Sequence, residues 1–346
     1  MLFYKISPDT FIVLELFILL SIFLNLILKK NKECINISTT VLIVILFLYS
    51  GGSYAKEVFL SNHIARISFA SGFWISLFFI YVIVIDSLKN TKPVYKIGVV
   101  LLFLLVFTFF TVGGFLDKID IMREFYVRKS RFISEISTHM YLSFASVLAA
   151  SIISFPLGVL AYKKRKTTQK IFAILNIFQT IPSIAMFGAL ILPLAYLSKH
   201  SRVLSSMGIS GIGFAPAFIA LVVYAMLPLV RNIYSGLRNV PEDAKQASMG
   251  MGMNGIQLLF MVEIPLAIVE ILTGLKISLV QTIGNAALAA LIGAGGLGVF
   301  IFQGLGEASS SLIMLGVLPL VFIAITAEYI MNVIIMFASK RMNGYD

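Results

Sequence analysis

NVPEDAKQASMGMGMNGIQLLFMVEIP, residues 239–265, is the longest break in the apolar segments that fill the second half of the chain. It opens like a helix: Asn239 can cap it, Pro241 suits a first turn, and Glu242 and Asp243 favour the positive end of the helix dipole. Gly250 and Gly252 then interrupt it, as C-caps or as points of close backbone approach. A second short helix over about 254–263 stops at Pro265. Two short helices on a glycine hinge, held between membrane spans, suit presentation to a partner. The plainer alternative is an ordinary cytoplasmic loop.

Outward from this stretch the chain is apolar. Of its 346 residues, 59% are hydrophobic and 12% charged, about half the charged share of a soluble domain. Runs of about 20 apolar residues, enough to cross a bilayer as a helix, recur along the whole length. They predict an all-α fold, a polytopic transmembrane helical bundle of about nine spans. The expected spans are 10–28, 38–55, 67–88, 95–116, 138–162, 171–197, 211–234, 266–292 and 310–338. Lys29, Lys30 and Lys32 follow the first run at once and no small-residue cleavage site stands behind it, so it reads as a retained span rather than a leader. The polar, charge-mixed stretch 117–137 is the clearest shift in composition. It divides a four-span N-terminal extension (1–116) from a C-terminal membrane core (138–346), with 117–137 as a polar connector.

The net charge of +11 does not point to nucleic acid, because most cations flank apolar segments. That is where the positive-inside rule places them. With the N-terminus outside and the C-terminus in the cytoplasm, sixteen of the 27 lysines and arginines fall in inside loops and ten in outside loops, half of those ten in the charge-balanced connector. This orientation puts 239–265 in the cytoplasm.

The missing motifs narrow the chemistry. No GxxxxGK[ST] phosphate loop is present, so ATP is not bound in that way. His63, His139 and His200 are scattered and Cys34 is the single cysteine, so no metal site and no intrachain disulfide is expected. No catalytic residues and no cofactor are expected, since neither a GxSxG elbow nor a pair of acids at helical spacing within one span occurs. A proton-driven carrier would use ionisable residues inside the bundle, and Glu15, Asp86, Glu270, Lys276 and Glu328 are the candidates. Lys276 lies roughly 16 Å into its span at 1.5 Å per residue. It is either a gate or pathway residue, or a cation that snorkels or pairs with an acid. The small-residue stretch TIGNAALAALIGAGGLG at 282–298 permits close helix packing, and its glycines break the helix at its outer end. That makes it a tight helix contact or part of a gate.

Gln246-Ala247-Ser248, Gly252, Val262 and Ile264-Pro265 keep the spacing EAA-x3-G-x9-I-x-L-P of the cytoplasmic signature of ABC importer permeases. Gln246 stands where the family has Glu, and Ser248, Val262 and Ile264 also depart from it. QTIPSIAMFGALILPL at 179–194, YAMLPLVRNIYSGLRNVP at 224–241 and TIGNAALAALIGAGGLG at 282–298 follow in the family's order. The chain resembles type I, binding-protein-dependent permeases, in their osmoprotectant branch for glycine betaine, choline, carnitine or proline betaine.

The resemblance covers 135–341 and implies a subunit of the bacterial cytoplasmic membrane. Its implied partners are two ABC ATPase subunits, an extracytoplasmic substrate-binding protein and a second permease subunit. It makes Gln246, Ala247, Ser248, Gly250, Gly252 and Pro265 the residues that couple to the ATPase. Gln179, Thr180, Pro182, Tyr224, Lys276 and Asn285 are the candidate pathway or gate residues. A permease for methionine or another amino acid is the rival within this class, and a secondary carrier or channel without an ATPase is the rival outside it. On the expected topology, a cysteine replacing Ser248 stays unmodified when intact cells are treated from outside with an impermeant thiol reagent; labelling there overturns the orientation.

Overall fold

The structure is a computed structural model that describes residues 32–343 except 64–65, 70, 90, 92 and 207. The expected span 10–28, with Glu15, lies outside the described residues. Peptide groups in hydrocarbon must bond internally, and helices do this within one segment. All regular structure among the described residues is accordingly helical. The chain divides into two compact units, Met1–Arg128 and Lys129–Asp346.

The first unit contains α1 (Lys32–Ser61), α2 (Ser71–Leu88), α3 (Pro93–Val112) and the start of α4 (Asp120–Lys163). Its core joins Val41, Leu48 and Ala55 of α1 to Val106 and Phe110 of α3 and to Leu116 and Ile119. Phe69 stacks on Phe73 at 3.9 Å between centroids, and Phe47 meets Phe73 edge-on at 5.7 Å. Glu124 is buried and holds both Arg66, at 3.4 Å, and Arg128. At Arg128 the backbone leaves helical dihedrals (φ −111°, ψ 18°). The stretch 117–137, expected as a solvated connector, is therefore mostly helix, and the boundary between the units falls inside it.

The second unit continues α4 and adds α5 (Arg165–Thr180), α6 (Ser183–His200), α7 (Arg202–Ser206), α8 (Phe214–Asn239), α9 (Glu242–Gly250), α10 (Gly255–Leu258), α11 (Ile268–Ala286), α12 (Gly298–Gly306) and α13 (Ser310–Asn343). Its centre is the crossing of α8 and α11. Ala217, Ala220 and Leu221 of α8 bury against Ala286 and Ala289, with Met186 and Phe187 of α6 in the same cluster. Small residues let the two backbones approach, which in a membrane does the work that hydrophobic exclusion does in water. Ser278 of α11 donates to the Ala225 carbonyl of α8 at 2.9 Å.

Six helices among the described residues are long and apolar enough to cross a membrane: Ile35–Ser61, Asp120–Lys163, Ser183–His200, Phe214–Asn239, Ile268–Ile292 and Ser310–Lys340. Gly72–Leu88 and Leu101–Val112 are shorter apolar helices, so the count of about nine spans is approximate. One expected span differs in kind. Residues 171–197 form two helices, because Ile181 and Pro182 are extended (ψ 127° and 139°) between α5 and α6. Pro182 has no N–H for an α-helical bond and disfavours helix at the residue before it.

A Cβ added at Gly274 would lie 2.6 Å from the Asn232 Cβ and 3.2 Å from the Pro228 carbonyl, whereas one at Gly284 meets nothing within 4 Å. Helix propensity alone favours alanine at both by about 1 kcal/mol. Gly274→Ala is expected to lower the melting temperature of the purified protein, since overpacking costs about 1–3 kcal/mol. Gly284→Ala is expected to leave it level or raise it.

Candidate functional site

The loop 239–265 is built from its inner face. Val240 and Leu259 bury with Ile233 and Leu237 of α8 and Ala267, and Phe155, Val159 and Tyr162 of α4 pack on that cluster. Asn239, expected as a helix cap, is the last residue of α8; Pro241 precedes α9, which starts at Glu242. Lys245 and Ser248 point inward from α9. The Lys245 ammonium lies 5.4 Å from the centre of the Tyr162 ring and 3.7 Å from Glu242, a cation–π contact supplemented by an ion pair. The Ser248 hydroxyl donates to the Ala244 carbonyl at 2.7 Å.

α9 ends in a Schellman arrangement: Met253 N–H bonds Ser248 O and Gly252 N–H bonds Met249 O, with Gly252 at φ +86°. Gly252 is therefore the hinge, while Gly250 completes α9. Asn254 then caps α10 through a full capping box, accepting from Ile256 and Gln257 N–H while the Gln257 side chain accepts from Asn254 N–H. Residues Leu259–Glu263 widen to a π-helix whose closing bond runs from Ile264 N–H to Leu259 O. Pro265 lacks the N–H an α-helix needs here, so the turn takes up an extra residue; α-helix resumes at Ile264–Leu266, and after Ala267 (φ −90°, ψ 2°) α11 starts at Ile268. Pro265 thus bends the segment into its span and does not stop it. Glu263, buried to 3%, accepts a hydrogen bond of 2.5 Å from the Tyr162 hydroxyl.

The outer face of the loop is open. Gln246, Ala247, Gly250, Gly252 and Pro265 are exposed, and Met249, Met251, Ile256, Phe260 and Met261 add exposed apolar surface, Met251 to 72%. Five expected coupling residues therefore share the accessible side. Ser248, 5% exposed, faces its own protein, so Met251 is the better labelling position.

The candidate pathway residues fall into two groups. Gln179, Pro182 and Tyr224 meet at the break between α5 and α6. The Gln179 side chain donates to the Tyr224 carbonyl at 2.7 Å, and the Tyr224 hydroxyl donates to the Ile181 carbonyl at 2.6 Å. The two side chains brace each other's backbones across the break. Thr180 is exposed and bonds only within its own helix, to Ile177 O.

Lys276 and Asn285 lie instead on α11. The Lys276 ammonium donates to the Asn332 amide oxygen of α13 at 3.0 Å. Its partner is neutral rather than the acid expected for a paired intramembrane cation. Beyond α11, Ala287–Ile292 tightens to a 3-10 helix, and Gly293, Gly295 and Gly296 take positive φ. Two contacts satisfy this break: Gly296 N–H to a Glu135 carboxylate oxygen at 2.6 Å, and Gly213 N–H to Ile292 O at 2.7 Å.

Sequence reasoning missed Tyr162, Lys245, Glu263 and Glu135. Glu263 had a signal, an acid two residues before Pro265. The N-x-x-Q box at Asn254–Gln257 was also legible. Tyr162 and Glu135 gave none, because each is defined by a partner over 100 positions away.

The family of binding-protein-dependent transport system inner membrane components matches residues 154–344. The N-terminal domain of the ABC transporter permease YehY matches residues 2–122. The glycine betaine/carnitine/choline transport system permease OpuCB of Bacillus subtilis is 36% identical over 195 residues, 56% of this chain and 82% of that relative. The osmoprotectant import permease OsmW of Salmonella typhimurium is 36% identical over 194 residues, 56% of this chain and 85% of that relative. Among solved structures, an inward-facing MetNI methionine ABC transporter aligns with a TM-score of 0.52 at 24% identity, over 61% of this chain and 97% of that chain. That likeness is one of fold. Loop, broken helices and family match agree: the chain belongs to the binding-protein-dependent inner-membrane components, the permease subunits of type I ABC importers.

Proposed function

We propose that this chain is the transmembrane permease of an ATP-driven importer of quaternary ammonium osmoprotectants such as glycine betaine, choline, carnitine and proline betaine. The observation that carries the substrate class is the similarity to glycine betaine, carnitine and choline permeases over 80% or more of their length at 34–36% identity. The likeness to a methionine transporter is weaker, at 24%, and speaks for fold only.

The outer face of α9 and α10 is the docking surface for a cytoplasmic ABC ATPase. Flexible thioethers at Met249 and Met251 suit a partner surface that moves during the cycle. Gln246, Ala247, Gly250, Gly252 and Pro265 set the shape of that surface, and Ser248 holds α9 from within. A binding protein outside delivers the solute and a second permease subunit, identical or paralogous, completes the pathway. Nucleotide and loaded binding protein shift the assembly between inward and outward openings by binding the two unequally. The loop faces the cytoplasm, with the N-terminus outside. The permease core is 138–346, 117–137 links it to the N-terminal extension, and the separate family match at 2–122 supports an added N-terminal domain. The brace of Gln179 and Tyr224 at Pro182, together with Thr180, Asn285 and Lys276, lines or gates the pathway.

Four tests check this reading. With its ATPase and binding protein in vesicles, the chain is expected to take up labelled glycine betaine, choline or carnitine and not methionine. Uptake persists when the proton gradient is collapsed and stops when ATP is removed; the reverse pattern identifies a secondary carrier. Charge placed on the open face, as Met251→Asp with Ile256→Asp, lowers ATPase affinity at least tenfold, the scale of a truncated hot spot. Membrane insertion is unchanged, as it is for Gly252→Asp, which also uncouples transport. Finally, Tyr162→Phe strands the buried Glu263 carboxylate, at about 1–3 kcal/mol. Replacing both residues (Tyr162→Phe with Glu263→Met) recovers most of the stability. Uptake recovers with it if the pair only holds the loop, and stays low if the bond transmits its motion.

A further inference from the structure

The loop after α6 departs from the charge pattern of its surroundings. Residues 195–213, AYLSKHSRVLSSMGISGIG, carry Lys199, His200 and Arg202 and no acid. They fold back on the end of α6. Ser201 Oγ accepts from Leu204 N–H at the start of α7, and Ile209 N–H returns to Leu204 O at 3.0 Å. Gly211 then sits so close to α6 that a Cβ there would lie 2.6 Å from Ile191 O and 2.8 Å from the Ala195 Cβ. The result is an open pocket of about 640 Å³ lined by Ser198, Lys199, Arg202, Ser205, Ser206 and Ser210, with Ala195 and Gly211 beside them.

Among the described residues neither Lys199 nor Arg202 has an acidic partner. Ser206 and Ser210 spend their hydroxyl protons on Val203 O and Ile212 O. Ser198 and Ser205 remain as donors beside the two cations. The pocket therefore selects an anion with several acceptor oxygens.

The flank of the pocket says what the anion is attached to. Leu192, Tyr196 and Lys199 follow one another at i, i+4 and i+7 and share a face of α6. Leu192 is 79% exposed, and Tyr196 and Val203 are exposed beside the cations. A membrane-crossing helix that carries an apolar strip up to an interfacial tyrosine and then two unpaired cations matches a lipid from tail to headgroup. An acidic protein segment would use the cations and leave the apolar strip uncovered.

We propose that this pocket binds the headgroup phosphate of an anionic phospholipid, held by Lys199 and Arg202 with Ser198 and Ser205, its acyl chain lying on the face of Leu192 and Tyr196. The site does not depend on which solute is transported.

The test uses the full-length chain in neutral detergent, titrated with phosphatidylglycerol, phosphatidylcholine or glycerol phosphate. Thermal stability and lipid retained in native mass spectra are recorded. Phosphatidylglycerol is expected to stabilise the protein and remain bound, while phosphatidylcholine and glycerol phosphate at equal concentration do neither. Lys199→Gln with Arg202→Gln lowers the apparent affinity about thirty-fold, about fivefold for each cation, and removes one retained lipid per chain. Lys199→Arg behaves as the wild type.

The basic block at Lys163, Lys164 and Lys166 also attracts anionic lipid. A variant with these three changed to glutamine therefore serves as control and keeps the pocket's lipid. Should the double variant fold poorly, Ser205→Leu, on an exposed position, fills the pocket without touching a charge and is expected to lose the same lipid. Unchanged phosphatidylglycerol retention in these pocket variants overturns the site. So does equal stabilisation by phosphatidylcholine, and an equal response to glycerol phosphate shows that a free phosphate, not a lipid, is the ligand.

Discussion

Everything in the second unit depends on satisfying backbone that is not helical. In a bilayer an unpaired N–H or C=O costs several kcal/mol, so broken helix is tolerated only where protein or a water-filled path supplies partners. Among the described residues, the apolar helices break at Ile181–Pro182 and at Ala287–Gly296. Each break is repaired by a side chain from a distant element. Gln179 and Tyr224 exchange hydrogen bonds with each other's backbone neighbourhood at the first. Glu135 takes up Gly296 N–H at the second, and Arg131 stands 3.6 Å from that carboxylate. A polar side chain aimed at backbone is thus the structural counterpart of each proline or glycine interruption. Because the repairs are few and directional, a break can exchange one partner set for another, which continuous helix cannot do.

The same logic sets the two faces of the loop 239–265. Its inner side is fixed by a buried acid, a buried lysine and a tyrosine, an arrangement that is stable only when complete. Its outer side shows methionine, isoleucine and phenylalanine, exposed among the described residues. The loop meets α4 through the Tyr162–Glu263 hydrogen bond and leads into α11 through the π-turn at Leu259–Glu263. Gly252, at φ +86°, turns the chain between α9 and α10, and Tyr162 ties the two sides of that turn through Lys245 and Glu263.

Most spans were readable in the sequence because six of the described helices are long and apolar enough to declare themselves alone. The hinge was readable as well: few residues besides glycine adopt φ near +86° readily, so MGMGM announces a cap, although only the structure distinguishes Gly252 from Gly250. Periodicity failed where one position overrides a whole run. Residues 171–197 look continuous until Pro182 is weighed against them, and Asn239 looks like a cap until α8 is seen to run through it. The braces were beyond reach, since hydrogen bonds such as Tyr162 to Glu263 join elements whose adjacency is a product of the fold. Lys276 shows the same limit: its depth could be counted, but its amide partner on α13 could not.

The division after Arg128 explains why a permease core can be legible beside an N-terminal half that is not. The osmoprotectant relatives are covered over 80% or more of their length by just over half of this chain, so their fold is complete without the first unit. That unit in turn carries its own core around Val41, Phe110 and Ile119, and its buried Glu124 finds both arginine partners inside it. The first unit thus closes its own core and pairs its own buried charge. Within it the part-buried Phe59 ring carries Lys118 at 4.2 Å and Arg123 at 5.5 Å. Both contacts join α1 to the start of α4 and the stretch that leads into it, so the unit is tied by cation–π attraction as well as by its apolar core.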